Sequence, residues 1–379
     1  MTGMNVTTTT VAVPLSGGRE YDIHIGAGLL SEAGRILQKV ARSGRVVVIT
    51  QPRIAALWGG PLEESLRSAG FETTDFVTFA AGERFKTLGT MARLCDKLYN
   101  LSVTVDRKTL VVALGGGVVG DVAGYVAASY LRGLDYVQIP TTLLAMVDSS
   151  VGGKTGVDFR DGKNLIGAFH QPRSVVADID TLKTLPYREF RSGMGEVVKY
   201  GVIRDPSLLL PRALDTSQMK MVSHIVRRSC EIKAEVVVAD EREEAGLRAI
   251  LNYGHTVGHA LESATGYRRY KHGEAISIGM AAAACIGEVA GITPPGVRET
   301  VIASCRTQGL PVARPAKISV DDLLTLMVRD KKTEAGNIRF VLARGLGDVE
   351  LMSGINQESV RAGLALQDKV CGHAESDAV

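Results

Sequence analysis

Glu196, His255 and His272 stand in three short motifs, GMGEVVKYG, LNYGHTVGHALE and KHGEA. One carboxylate and two imidazoles are the donors of a catalytic divalent-metal site. Structural zinc usually takes four protein ligands, often thiolates, whereas three nitrogen or oxygen ligands leave a position open for water or substrate. His259 lies four residues after His255, so a helix puts both on one face. The HExxH pattern is absent because Thr256, Val257 and Gly258 intervene, and metalloprotease chemistry would lack its general base. Taken singly, each histidine is more often a hydrogen-bonded core or surface residue, and Glu196 alone reads as a solvated helix carboxylate. Three of the seven histidines fall between 255 and 272, beside glycines that permit close approach, and this shifts the balance toward a site.

A second chemistry is written earlier in the chain. Gly115-x-Gly117-x-x-Gly120, running on to Asp121, follows a strand-like run and precedes a helix-like one. It matches the dinucleotide fingerprint, in which glycines let backbone N–H groups approach a pyrophosphate at a helix N-terminus. A glycine turn needed only for tight packing is the competing explanation. No acidic residue closes a second strand about 20 residues later, so a ribose contact must come from elsewhere. Lysines also recur beside glycines or serines: Lys154 in SSVGGKTG, Lys163 in DGKNLIGAF and Lys332 in RDKKTEAG. Such loops suit phosphate or carboxylate groups. The GxxxxGK spacing is not met, which disfavours a kinase or NTPase. A metal ion and a dinucleotide in one protein suit redox chemistry on an alcohol.

These residues need a scaffold of some size. The 379 residues suggest two domains. Forty-four basic and 41 acidic residues are interspersed, for a net charge of +3, and no basic stripe argues for nucleic acid. The uncharged apolar run Ala275 to Gly287 is too short to span a bilayer, and the start, MTGMNVTTTT, lacks the features of a signal peptide. Five scattered cysteines without CxxC spacing read as reduced thiols, and a cytoplasmic protein without membrane partners is expected.

The first half alternates β-branched runs with helical stretches. Strands are expected at 45–51, 73–80, 109–117, 135–140 and 174–180, and helices at 61–69, 86–101 and 118–131. This predicts an α/β N-terminal domain, residues 1–184, with a mostly parallel, Rossmann-like sheet whose ligands lie outside the carboxyl ends of the strands. The remainder, 185–379, lacks regular β-branched runs. Its helical segments at 219–239, 247–264 and 275–290 predict an all-α C-terminal domain.

The stretches GGGVVGDVAGYVAASYLRG, QIPTTLLAMVDSSVGGKTGVD, GKNLIGAFHQP, GMGEVVKYG, LNYGHTVGHALE, KHGEA and RDKK, spread over roughly residues 45 to 345, resemble the 3-dehydroquinate synthase family. The resemblance implies a homodimeric, NAD- and Zn2+- or Co2+-dependent enzyme of the shikimate pathway. Its substrate would be a phosphorylated sugar acid, 3-deoxy-D-arabino-heptulosonate 7-phosphate, cyclised to 3-dehydroquinate with release of phosphate. It implies Glu196, His255 and His272 as metal ligands, with His259 in the site but not a primary ligand. NAD would be held by Ala81, Gly82, Glu83 and Lys86, by Gly115, Gly116, Gly117, Val118, Val119, Gly120 and Asp121, by Thr141 and Thr142, and by Thr181, Leu182, Lys183 and Thr184, with Lys154 and Lys163 alongside. Glu83 would then supply the missing ribose contact. Substrate would meet Arg132, Asp148, Lys154, Lys163, Asn164, Lys199, Lys233, Arg248, Asn252 and one of Lys331 and Lys332, with Lys332 preferred. Sister sugar-phosphate cyclases would share the metal and NAD residues, a related polyol dehydrogenase would give net NADH, and a non-enzymatic NAD-binding scaffold would need none of the lysines.

Overall fold

Continuous apolar runs such as RVVVIT and LVVALG suit strands covered on both faces. A computed structural model describes residues 8–160, 162–329 and 338–374, and in it these runs lie inside a seven-stranded sheet. The strands are β1 (Thr9–Val13), β2 (Tyr21–Gly26), β3 (Arg45–Thr50), β4 (Thr73–Thr78), β5 (Leu110–Gly115) and β6 (Tyr136–Pro140), with β9 (Ser174–Asp178) after a separate antiparallel hairpin of β7 (Lys154–Phe159) and β8 (Gly162–Phe169). The order is β1-β2-β9-β6-β5-β3-β4, with every pairing parallel except β1 with β2. Alternating burial on β1 marks it as a half-solvated antiparallel edge.

The chain forms two compact units, residues 1–185 with 216–242, and 186–215 with 243–379. In the first, β3 leads outward to β4 whereas β5 lies on the other side of β3, so the strand order reverses between β3 and β5. At such a switch point the carboxyl ends of the strands open a crevice for ligands. The turns leaving β4, β5, β6 and β9 all emerge at this end, because those strands are mutually parallel.

The second unit is built around the helix His272–Val289, whose residues Gly273 to Gly287 are all buried. A helix apolar on every side belongs at a core, and Tyr187–Ile203, His255–Ala264, Pro295–Thr307 and Gln357–Cys371 pack around it. Among the described residues no helix is long and apolar enough to cross a membrane.

Three details differ from the sequence expectations. The helix Met219–Ala239 has the expected bounds but belongs to the first unit, where it packs on β1, β2 and the turn Ala145–Ser149. The segment 247–264 is not one helix: Gly254 sits at φ +79°, outside right-handed helix space, and separates a 3-10 turn, Leu247–Asn252, from the helix His255–Ala264. The second unit is helical but also holds a hairpin of β10 (Phe340–Gly345) and β11 (Asp348–Met352), which buries Phe340, Val341, Leu342 and Ala343.

Candidate active site

The glycine loop forms as the fingerprint requires. β5 ends at Gly115, Gly116 caps the next helix in an extended conformation, and the helix Gly117–Ser129 begins immediately. A Cβ at Gly120 would come within 2.5 Å of Gln138 Oε1 on β6, so this glycine serves close helix-to-strand packing. A Cβ at Gly117 would lie 3.0 Å from Ser149 Oγ. The buried hydroxyls Thr141 Oγ1, after β6, and Ser149 Oγ find no hydrogen-bond partner among the described residues. Buried polar groups are normally paired. Unpaired hydroxyls beside a bare-backbone helix N-terminus fit a bound dinucleotide.

Around this loop the first unit gathers charge. Lys86 is buried, donates to Asp121 at 2.6 Å and contacts Asn164 Oδ1. Burial works against its charge, but the Asp121 and Glu83 carboxylates outweigh it and raise its pKa, so it stays an ammonium. Asn164, at φ +53° on β8, donates its N–H to the Asp158 carboxylate at 2.8 Å, and the backbone N–H of Asp158 donates to the Lys86 carbonyl at 2.8 Å. Lys163 Nζ lies 3.8 Å from Glu83. Lys233 donates to the Asp148 carboxylate at 2.7 Å and to its carbonyl at 2.8 Å. Thr142 Oγ1 accepts from Ala145 N–H, while the Thr181 and Thr184 hydroxyls donate to the Asp178 and Thr181 carbonyls. Lys183, exposed, pairs with Asp180 at 2.7 Å. Lys154 is an exposed residue that opens β7, so GGK leads into a strand.

The second unit brings the Glu/His/His set together from three helices. Glu196 is fully buried on Tyr187–Ile203, His255 opens its helix and His272 opens the central one. Glu196 Oε1 lies 3.1 Å from His272 Nε2 and 3.6 Å from His255 Nε2. Donors about 2.1 Å from a tetrahedral ion stand about 3.4 Å apart, so both separations from Glu196 Oε1 match ligand spacing, and the three donors all lie within 4.8 Å of one another. Lys199, one turn along, pairs with Glu196 through its other oxygen. Burial disfavours a charged His272, yet hydrogen bonds with Glu196 and Glu262 outweigh it and push its pKa up to about 10. Two carboxylates thus call for a cation at this imidazole. His259 stacks edge-on to His255, ring centroids 5.2 Å apart. Buried Arg248, 3.6 Å from Glu243, and Asn252 lie on the 3-10 turn just before His255.

One expected residue stands apart. Arg132, in a left-handed pair with Leu131 (φ 66° and 49°), is exposed beyond the far end of Gly117–Ser129. Thirteen helical residues span about 20 Å, so Arg132 lies at the end of the sheet opposite the glycine loop. Lys331 and Lys332 lie outside the described residues. Sequence reasoning assigned no role to Glu262 or Glu274. Glu262 faces His272 Nδ1 at 3.5 Å. Glu274 receives Arg188 at 2.9 and 2.8 Å and Arg191 at 3.1 Å, tying the helix of Glu196 to that of His272. Their only sequence signal is that both carboxylates stand within the histidine motifs.

A doubly wound unit with a nucleotide loop and a second unit with a three-donor metal pocket define a class of nucleotide- and metal-dependent enzymes. Within it, the chain belongs to the 3-dehydroquinate synthase family, whose N-terminal model matches residues 76–192 and whose C-terminal model matches 193–333. A 3-dehydroquinate synthase of Synechococcus sp. is 46% identical over 363 residues, covering 93% of this chain and 96% of the relative. Among solved structures, 2-epi-5-epi-valiolone synthase from Streptomyces hygroscopicus, with NAD+ and Zn2+ bound, superposes with a TM-score of 0.81 at 28% identity, covering 92% of this chain and 97% of that one. A 2-deoxy-scyllo-inosose synthase complexed with carbaglucose-6-phosphate, NAD+ and Co2+ also gives 0.81, at 26% identity over 94% of this chain and 99% of that one.

Proposed function

We propose that this chain converts 3-deoxy-D-arabino-heptulosonate 7-phosphate to 3-dehydroquinate and phosphate. The observation that carries this is the convergence of Glu196, His255 and His272, whose donor atoms lie within 4.8 Å of one another, in a chain of this family. The C5 alcohol is oxidised, phosphate departs with loss of the C6 hydrogen, C5 is reduced again, the ring opens, and an intramolecular aldol step closes the carbocycle. When bound, NAD supplies hydride acceptance and return, and a Zn2+ or Co2+ ion supplies Lewis acidity at the substrate hydroxyls.

The chain's own residues bind and orient. The backbone of Gly115 to Asp121 with Thr141, Thr142 and Ser149 forms the pyrophosphate cradle, and Glu83 offers the ribose contact. Residues Ala81, Gly82, Lys86 and Thr181 to Thr184 complete the nucleotide site. Lys154, Lys163, Asn164, Arg248 and Asn252 take the phosphate and carboxylate of the substrate, where charge-assisted hydrogen bonds are strong. Lys233 and Asp148 fix each other, and Lys199 holds Glu196. His259, edge-on to His255, faces the substrate without ligating.

We read the enzyme as a homodimer. Arg132 lies too far from the glycine loop of its own unit to meet a substrate there, so it acts in a second copy's site. Mixing an Arg132→Ala chain with a chain lacking His272 should then restore part of the activity. Burial pushes the Cys230, Cys285 and Cys305 thiols up to about 12; with Cys95 and Cys371 they make five free thiols, which suit a reducing compartment that we read as the cytoplasm.

Supplying the heptulosonate phosphate, NAD and Zn2+ and measuring phosphate and 3-dehydroquinate together tests the reading. Equal yields of both, without net NADH, are expected. Activity only with a hexose or sedoheptulose phosphate would assign the chain to a sister cyclase, and net NADH would assign it to a dehydrogenase.

A further inference from the structure

The two imidazoles of the metal pocket are steered differently. His255 Nδ1 lies 3.1 Å from the Tyr253 carbonyl, which leaves Nε2 facing Glu196. His272 has its Nε2 on Glu196 too, but its Nδ1 faces a second carboxylate, Glu262 Oε1, at 3.5 Å. Glu262 is 2% exposed and lies seven residues after His255 on the same helix, so both ride one helical face. A buried carboxylate is costly without a cationic or N–H partner, and His272 supplies the N–H.

We propose that Glu262 is a positioning residue of the metal centre: it holds the proton of His272 on Nδ1, fixes the ring plane and strengthens Nε2 as a donor, and so sets the affinity for the divalent ion. The proposal rests on the metal site proposed above. Carboxylates behind metal-bound imidazoles act in this way. His259, Glu262 and His272 also lie within ligand distance of one another. In our assignment that second trio orients His272 and does not hold an ion of its own, because Nδ1 then carries a proton.

The test uses the full chain with Co2+ as probe. Wild type should bind one Co2+ per chain, and Glu262→Gln, of equal shape but uncharged, should bind it roughly 10- to 100-fold more weakly, with a changed visible spectrum. NAD affinity and far-UV circular dichroism should stay unchanged. Wild-type Co2+ affinity and spectrum in Glu262→Gln would overturn the proposal. So would two Co2+ per chain falling to one, because Glu262 would then be a ligand. Absence of Co2+ binding in wild type would sink the metal site itself, which is a separate failure. Should Glu262→Gln fail to fold, the 15N spectrum of the Zn2+-loaded wild type decides: a protonated Nδ1 on His272 supports the role, and a metal-bound or bare Nδ1 refutes it.

Discussion

Gly273→Ala is the smallest change that should destroy the metal centre without touching a ligand. Gly273 is the second residue of the central helix, next to His272, and its N–H donates to Ser192 Oγ at 3.0 Å on the helix that carries Glu196. A Cβ at Gly273 would stand 1.8 Å from the Ser192 carbonyl oxygen, whereas Cβ atoms essentially never approach within 3.0 Å. The difference, 3.0 − 1.8, requires the two helices to part by at least 1.2 Å. Metal–ligand distances tolerate only about 0.2 Å, and a misplacement of about 1 Å costs roughly a hundredfold in turnover. Helix propensity pulls the other way, since alanine favours a helix interior over glycine by about 1 kcal/mol. The variant should therefore lose Co2+ binding and turnover while retaining NAD binding, and should melt lower by an overpacking cost of about 1–3 kcal/mol. Gly296→Ala, where nothing lies within 4 Å of the added carbon, is the control. A Co2+ titration and a turnover assay that match wild type in Gly273→Ala would refute the claim that this backbone contact sets the donor spacing.

Three further outcomes follow from other parts of the molecule. Gly117→Val puts its first carbon 3.0 Å from Ser149 Oγ and the next ones toward the cradle; NAD affinity should fall tenfold or more, by about 1.4 kcal/mol, with Co2+ binding intact, and calorimetry showing unchanged NAD binding would reject the cradle. Lys154→Ala, at an exposed position, should raise KM for the phosphorylated substrate by roughly tenfold or more and leave both cofactor affinities alone; unchanged kinetics would move phosphate binding to the other lysines. His24 on β2 has its pKa lowered from 6.5 by burial, which Asp22 opposes and Lys39 and Arg35 reinforce. The unfolded chain then takes the proton first, so stability is lost as pH falls through about 6.5; urea midpoints of His24→Gln should decline less on acidification, and an equal decline would assign the effect to other groups.

The central sheet was legible because its strands are covered on both faces and read as unbroken apolar runs. β1 and β2 were not: β1 starts inside a threonine run, and its strand character comes from pairing with residues eight or more positions away, Thr9 with Ile25 to Val13 with Tyr21. β7 and β8 carry glycines at 156, 162 and 167 and so lack a strand pattern, yet Gly156 and Gly167 are what let the two backbones meet, with an added carbon on Gly167 only 2.1 Å from the Thr155 carbonyl oxygen. For Met219–Ala239 the periodicity gave the helix, but chain order could not tell which core its apolar face covers. Arg132 was reached by resemblance alone, and only the strand–helix–strand topology reveals how far it sits from the loop. Glu262 carries no signature of its own, because its partner His272 arrives from another helix.

The legible part of the metal site extends beyond its ligand types to the glycine beside each one. Gly195 precedes Glu196, Gly254 precedes His255 and Gly273 follows His272. A carbon on Gly195 would lie 2.7 Å from the Gly273 carbonyl oxygen, and one on Gly254 would lie 2.6 Å from Met280 Cγ and 2.9 Å from the Ile276 carbonyl oxygen. On the other side of that crossing, a carbon on Gly279 would lie 2.0 Å from the Gly254 carbonyl oxygen. Each of the three proposed donors therefore leaves its helix beside a point where two backbones touch, and the donor separations there are 3.1 and 3.6 Å. A donor set built on side-chain packing alone could relax by rotamer changes. One built on backbone contact keeps its anchor points fixed, so less of the binding energy goes into assembling the pocket. The motifs GMGE, YGH and HGE thus encode distances as well as ligands, which is why three short and separate stretches carried so much of the site.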